Sequence, residues 1–167
     1  AEPAPVLFDR GLVAPGVDAG YVVSENAFGG KAFPGTVGQY NPGSQPFLKV
    51  NRHGERFMNE SQEYDNASHA SFQQPGHVYA MIHDANFRSD VDRFHTIGCS
   101  ALTRYIPGMM EGQLEQYAEE GLIMKADTIE ELADKMGFTG ADKDNFVATV
   151  ARYNELYDKQ NDEDFGK

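Results

Sequence analysis

The chain has 167 residues, 40% of them hydrophobic and 24% charged, which suits one globular domain around a single core. Its formal net charge of -12 repels phosphate backbones and anionic lipid, and no Lys/Arg stripe offsets it, so nucleic acid is excluded as a partner. The lone cysteine, Cys99, excludes an internal disulfide and any multi-thiolate metal centre and reads as a small core residue; no apolar run is long enough to cross a bilayer as a helix, and membrane insertion is not expected.

The first 46 residues contain Ala14-Pro15-Gly16, Phe28-Gly29-Gly30 and Asn41-Pro42-Gly43-Ser44. They read as loops with short extended pieces at Val6-Leu7-Phe8 and Tyr21-Val22-Val23. From Pro46 the pattern sharpens. Phe47, Leu48 and Val50 make an extended run, Arg52-His53-Gly54 supplies a turn, and Glu55-Arg56-Phe57-Met58 returns, which predicts a hairpin. Residues 59–74 are polar with weak helical character, stopped by Pro75-Gly76, and Val78-Tyr79-Ala80-Met81-Ile82 predicts a buried strand. Leu114, Tyr117 and Ala118 share one face of a helix that Gly121 can end, and Leu122-Ile123-Met124 predicts a short strand.

Asp127-Thr128 with Glu130-Glu131 is a capping-box signature. It opens a helix whose Ile129, Leu132, Ala133 and Met136 fall at i, i+3, i+4 and i+7, and Gly137 stops it. Asp142 can cap a last helix with Phe146, Val147, Val150, Tyr153 and Tyr157 as its apolar stripe, and the tail Asp162-Glu163-Asp164 reads as a solubilising surface. Strands and helices do not alternate as βαβ units require, so the fold class is α+β.

Several chemistries are missing from the sequence. A dinucleotide site needs Gly-x-Gly-x-x-Gly between a strand and a helix, where absent Cβ atoms let the backbone approach a pyrophosphate. Gly29-Gly30 and Gly35-Thr36-Val37-Gly38 do not fit that pattern. Walker and Gly-x-Ser-x-Gly signatures are absent as well. His53, His69, His77, His83 and His95 are not spaced to project from one helix face as zinc ligands do, so no metal is expected.

The segment 48–60, Leu48-Lys49-Val50-Asn51-Arg52-His53-Gly54-Glu55-Arg56-Phe57-Met58-Asn59-Glu60, resembles a stretch of the capping domain in the fumarate reductase and flavocytochrome c flavoproteins. Residues 126–133 and Thr149-Val150-Ala151-Arg152-Tyr153-Asn154 resemble the closing helices of the same domain, in the same order. The resemblance covers residues 47–73 and 122–165. It implies that residues 1–167 form one capping domain, cut from a parent whose FAD-binding domain carries the flavin, so that no FAD is expected on this chain alone and the chain alone is expected to be inactive.

In that family a hydride passes from reduced flavin to an activated C=C bond, and a side chain on the cap delivers the proton. The resemblance places that donor where the sequence reads Glu60-Ser61-Gln62-Glu63-Tyr64-Asp65, with Tyr64 standing where the fumarate reductases have arginine and Asp65 in its expected place. A phenol, with a reference pKa near ~10 against more than ~12 for guanidinium, gives up a proton at least as readily, but it offers no positive charge to a carboxylate. The implied substrate is therefore a small unsaturated molecule, an enoate, enone or related alkene, rather than fumarate. Arg56, Asn59 and Glu60 are expected to tie the hairpin to the donor segment, and Glu63 is either a relay toward Tyr64 or a solvated carboxylate. The Thr-Glu pair that touches substrate in fumarate reductases is absent before the motif, leaving Tyr40, Ser44 and Gln45 as substitutes. Three readings stay open: an alkene reductase supplied by an electron-donor protein, a dehydrogenase running the reverse reaction as in ketosteroid dehydrogenases, and a free-standing binding module that shares only the fold.

Overall fold

The computed structural model describes residues 6–12, 47–86, 90, 116, 118–120 and 123–167. Four strands, β1 (Val6–Leu12), β2 (Leu48–Val50), β3 (Tyr79–Asp84) and β4 (Ile123–Ala126), form one sheet in the order β2-β3-β1-β4, every neighbour antiparallel. Three helices accompany them: α1 (Tyr64–Phe72), α2 (Ile129–Lys135) and α3 (Gly140–Lys159), with a 3-10 turn at Pro75–His77. The described fold is α+β.

The core lies between one face of the sheet and the pair α2 and α3. Leu48, Val50, Ala80, Ile82 and Ala126 meet Leu132, Ala133, Met136, Phe138, Phe146 and Val150 there, all buried. Strand residues alternate between faces, which puts Lys49, Tyr79, Met81 and His83 on the other side, and these are buried too. That explains why β3 reads as an uninterrupted apolar run: a strand covered on both faces has no solvent side to mark with polar residues. Lys49 is accommodated with its Nζ 5.9 Å from the centre of the Tyr79 ring, and His83 against Phe47, ring centres 5.2 Å apart.

Local signals fix α2. The Thr128 hydroxyl accepts from the Glu131 N–H at 3.1 Å and the Glu131 carboxylate accepts from the Asp127 N–H at 3.4 Å, so the capping box forms. Gly137 leaves the helix at φ +82°, and the Phe138 N–H returns to the Ala133 carbonyl at 3.0 Å, turning the Phe138 ring inward onto Phe146. Because Phe138 must enter the core so soon after α2, α3 starts immediately behind it, with Thr139 rather than Asp142 at its N-cap. Asp142 lies in the first turn and faces His53 at 3.2 Å.

Other expectations are corrected. The first segment was expected to hold only short extended pieces, yet β1 runs over seven residues and occupies an inner position of the sheet. The expected hairpin reduces to a tight turn with a single bridge, Val50 to Arg56, while β2 pairs with β3 instead. In α3 Phe146 and Val150 are buried, but Tyr157 is 62% exposed and Leu156 takes the inward position. Ala118 is exposed rather than inward, a position where one methyl group loses little. Tyr21-Val22-Val23, His95, Cys99, Leu114, Tyr117, Gly121 and Leu122 lie outside the described residues.

Gly54 marks the tightest approach in this framework. It has φ +73°, and a Cβ there would sit 2.6 Å from the Asp142 carbonyl oxygen and 2.6 Å from the Phe146 backbone nitrogen. Gly140 has φ +53° with open space around it. Gly54→Ala is therefore expected to lower stability by about 2–5 kcal/mol, combining left-handed strain with overpacking against helix backbone, whereas Gly140→Ala bears only the strain of roughly 1–2 kcal/mol. Thermal melts of the two variants check this ordering, and equal shifts would contradict it.

Candidate functional site

The turn that leads to the site is organised by Asn51. Its side-chain oxygen accepts from the N–H groups of His53 (2.9 Å) and Glu55 (3.1 Å), and its amide nitrogen donates to Gln74 at 3.2 Å, behind the end of α1. Asn145 on α3 donates to the His53 carbonyl at 3.2 Å. A buried asparagine with these partners does what a shorter or apolar side chain cannot: it satisfies turn N–H groups that would otherwise be stranded.

Arg56 follows the turn, and both edges of its guanidinium are occupied. Nε and Nη2 donate to the two oxygens of Glu60 at 2.8 Å each, and Nη1 and Nη2 donate to the two oxygens of Asp162 at 3.0 and 2.8 Å. The rings of Tyr153 and Phe165 lie 4.9 and 4.8 Å from its Cζ. The Arg56 side chain is 6% exposed, Glu60 0% and Asp162 8%, so these charges are removed from water and depend on one another. Lys167 adds a second cation, 3.4 Å from Glu60, and its ammonium donates to the Tyr153 hydroxyl.

The electrostatic consequences follow from this packing. Burial alone would lower the pKa of Arg56, but the hydrogen bonds to Glu60 and Asp162 outweigh it and hold the guanidinium charged. The Arg56 hydrogen bonds hold Asp162 well below the usual carboxylate range against the opposing effect of burial. Burial, with the nearby Glu60 carboxylate, pushes the Tyr153 phenol well above its ordinary value, and burial lowers Lys167.

From this cluster the chain enters α1. The Asn59 side-chain oxygen accepts from the Ser61 N–H at 2.8 Å, and its amide nitrogen donates to the Gly166 carbonyl at 3.2 Å. Glu63 is the N-cap residue of α1, exposed and without a side-chain capping bond; Tyr64 is the first residue of the helix, and Asp65 lies exposed in its first turn. The structure thus brings Arg56, Asn59 and Glu60 together and places Glu63, Tyr64 and Asp65 directly after them. The first three also reach the C-terminal tail: Arg56 through Asp162, Asn59 through the Gly166 carbonyl and Glu60 through Lys167. Tyr40, Ser44 and Gln45 lie outside the described residues.

Sequence reasoning missed Asp162, read as part of a solubilising tail. It also accepts from the N–H groups of Asp164, Phe165 and Lys167 at 3.2, 3.2 and 3.0 Å, folding the tail around itself. An aspartate just past a helix end followed by Phe165-Gly166 is a local hint of such a turn, but nothing local points to Arg56, 106 residues earlier. Among the described residues no three metal-ligating side chains converge. A dinucleotide does not fit the described part either: its strands are all antiparallel, and its helices open at Glu63, Thr128 and Thr139 rather than from a glycine-rich turn after a parallel strand.

No family model matches the chain. It is 33% identical over 121 residues to NADH:acrylate oxidoreductase of Vibrio harveyi, covering 72% of this chain and 10% of that protein. It is 36% identical over 137 residues to 3-oxosteroid 1-dehydrogenase of Mycolicibacterium smegmatis, covering 75% and 21%. It is 27% identical over 147 residues to NADH:fumarate oxidoreductase of Klebsiella pneumoniae, covering 88% and 12%. The chain thus spans about a tenth to a fifth of the length of these relatives, and the proteins of which it resembles a part are oxidoreductases.

Asp162→Asn is expected to lower the unfolding free energy by roughly 3 kcal/mol at pH 7, because it leaves Arg56 buried with one edge uncompensated. A carboxylate with a depressed folded-state pKa stabilises fully above its unfolded value near ~4 and loses that contribution as pH falls further. The gap between the variant and the unaltered chain in urea titrations should accordingly narrow from pH 5 toward pH 2; a constant gap would show that the charge is not what is lost.

Proposed function

We propose that residues 1–167 are the substrate-capping domain of a larger flavin-dependent oxidoreductase that adds hydrogen across a C=C bond conjugated to an electron-withdrawing group. The observation that carries this reading is the similarity of 72–88% of the chain to short segments of proteins named for acrylate, fumarate and a 3-oxosteroid. Acrylate and fumarate are alkenes conjugated to carboxylate, and a 1-dehydrogenase of a 3-oxosteroid makes a double bond beside a ketone. FAD, when held by the FAD-binding domain of the same parent and reduced by an electron donor, would supply the hydride.

The part played by this chain is the proton. Saturating the bond takes a hydride at one carbon and a proton at its neighbour, where the electron-withdrawing group stabilises the carbanion. Tyr64, the first residue of α1, gives its phenolic proton to that carbon, and the phenolate left behind is then reprotonated. Asp65 and Glu63, both exposed, return a proton from solvent. With no guanidinium at position 64 to pair with a carboxylate, a neutral enone or a mono-acid suits the site better than fumarate, and Tyr40, Ser44 and Gln45 contribute to substrate contact.

A second reading has its own support: the 36% identity to 3-oxosteroid 1-dehydrogenase accompanies a tyrosine that serves equally as a base in the reverse direction. Assays with reduced methyl viologen as donor, and with a quinone-type dye as acceptor, separate the two.

In the parent protein, Tyr64→Phe should lower turnover of acrylate, or of a 3-oxosteroid, about 10²- to 10⁴-fold with the flavin spectrum unchanged. Full rates in the variant, or turnover of none of acrylate, fumarate and a 3-oxosteroid by the unaltered parent, would overturn the assignment. Calorimetric titration of the isolated chain with FAD should show no binding; tight uptake of the flavin would contradict the division of labour.

A further inference from the structure

We infer that Asp162 and Asn59 are positioning residues for Tyr64, with the C-terminal tail acting as the clamp that fixes where α1 begins. This rests on the functional reading above. The helix that carries Tyr64 is nine residues long and polar, and its N-cap residue Glu63 makes no side-chain capping bond. A helix of that length has little stability of its own, so its starting point has to be set by what surrounds it.

The contacts that set it come from the residues directly upstream. Asn59 accepts from the Ser61 N–H at 2.8 Å, the Gln62 N–H returns to the Asn59 carbonyl at 3.4 Å, and the Gln62 amide reaches the Met58 sulfur at 3.3 Å. Asn59 itself is tied to the tail through the Gly166 carbonyl. Glu60, with a fully buried carboxylate, is held on the Nε edge of Arg56, whose other edge is held by Asp162. Three ties therefore link the tail to residues 59–61, just ahead of α1: Asp162 to Glu60 through Arg56, Lys167 directly to Glu60, and Gly166 to Ser61 through Asn59. Neither Asp162 nor Asn59 need touch substrate. Moving the start of α1 displaces the phenol, and a donor misplaced by about 1 Å loses up to 10²-fold in rate.

The test is a double-mutant cycle in the parent protein with acrylate and reduced methyl viologen, or with a 3-oxosteroid and a dye acceptor if that direction is the active one. Asp162→Asn and Asn59→Ala are each made alone and together with Tyr64→Phe. With Tyr64 present, each should lower kcat about 10-fold with KM within twofold, and Asp162→Glu should recover part of the loss. In the Tyr64→Phe background neither should lower kcat further, because a residue that acts through the phenol has nothing left to position. Hydrogen exchange should rise at the amides of residues 61–67 and stay unchanged over Tyr79–Asp84. Equal losses in both backgrounds, or exchange that rises uniformly, would overturn the positioning role while leaving Tyr64 as donor. A neutral Tyr64→Phe would instead remove the functional reading, and this inference with it. Should Asp162→Asn fail to fold, Asn59→Ala, which removes no charge, carries the cycle alone.

Discussion

A guanidinium buried to 6% exposure is tolerable only if its nitrogens find acceptors and its charge is neutralised, and Arg56 meets both demands with four donations to two carboxylates beside two aromatic rings. The planar fork matters: each edge of the group presents parallel donors to one carboxylate, and a lysine could satisfy neither edge in that way. Because Glu60 lies four residues ahead and Asp162 lies at the other end of the chain, one side chain holds both the segment before α1 and the tail after α3. The Asn51 turn sets where Arg56 emerges, and the tail has its shape because Asp162 must present both oxygens there.

The stretch from Val50 to Glu60 can then be understood residue by residue. Val50 closes the sheet face, Asn51 satisfies the turn, Gly54 lets that turn lie against the α3 backbone, Arg56 and Glu60 form the buried pair, and Asn59 joins the tail to the start of α1. Most of the recognisable pattern thus makes contacts within the fold, and the residues proposed for chemistry come after it, at 64 and 65. A shared frame with a separate reacting position is compatible with relatives whose names point to substrates as different as acrylate and a 3-oxosteroid.

What the sequence made legible was local. The Thr128 cap, the Gly137 stop, the apolar run of β3 and the α3 residues Phe146 and Val150 all announce themselves within a few positions, and the structure has them. What stayed hidden depends on distant partners. β1 looks like part of a loop-rich segment because its neighbours, β3 and β4, lie far along the chain. Asp162 looks solvated because its cation is on another element. Tyr157 fits the helical stripe by angle, yet Leu156 takes the buried place in that turn. For the site, nothing local at Arg56, Asn59 or Glu60 pointed to their partners in the tail.

The strand order has a consequence for biogenesis. Val6 pairs with Asp84 on one side and Ala126 on the other, so β1 waits for neighbours made much later. Until Ala126 has emerged from the ribosome, β1, β2 and β3 can form at most a three-stranded sheet with β1 as an open edge and with no α2 and α3 to cover its apolar face. High contact order of this kind slows folding and leaves apolar edges unpaired in the interim. Nascent chains of this domain should therefore depend on chaperones until β4 is available, and a stalled or truncated product lacking β4 should aggregate rather than rest as a stable intermediate.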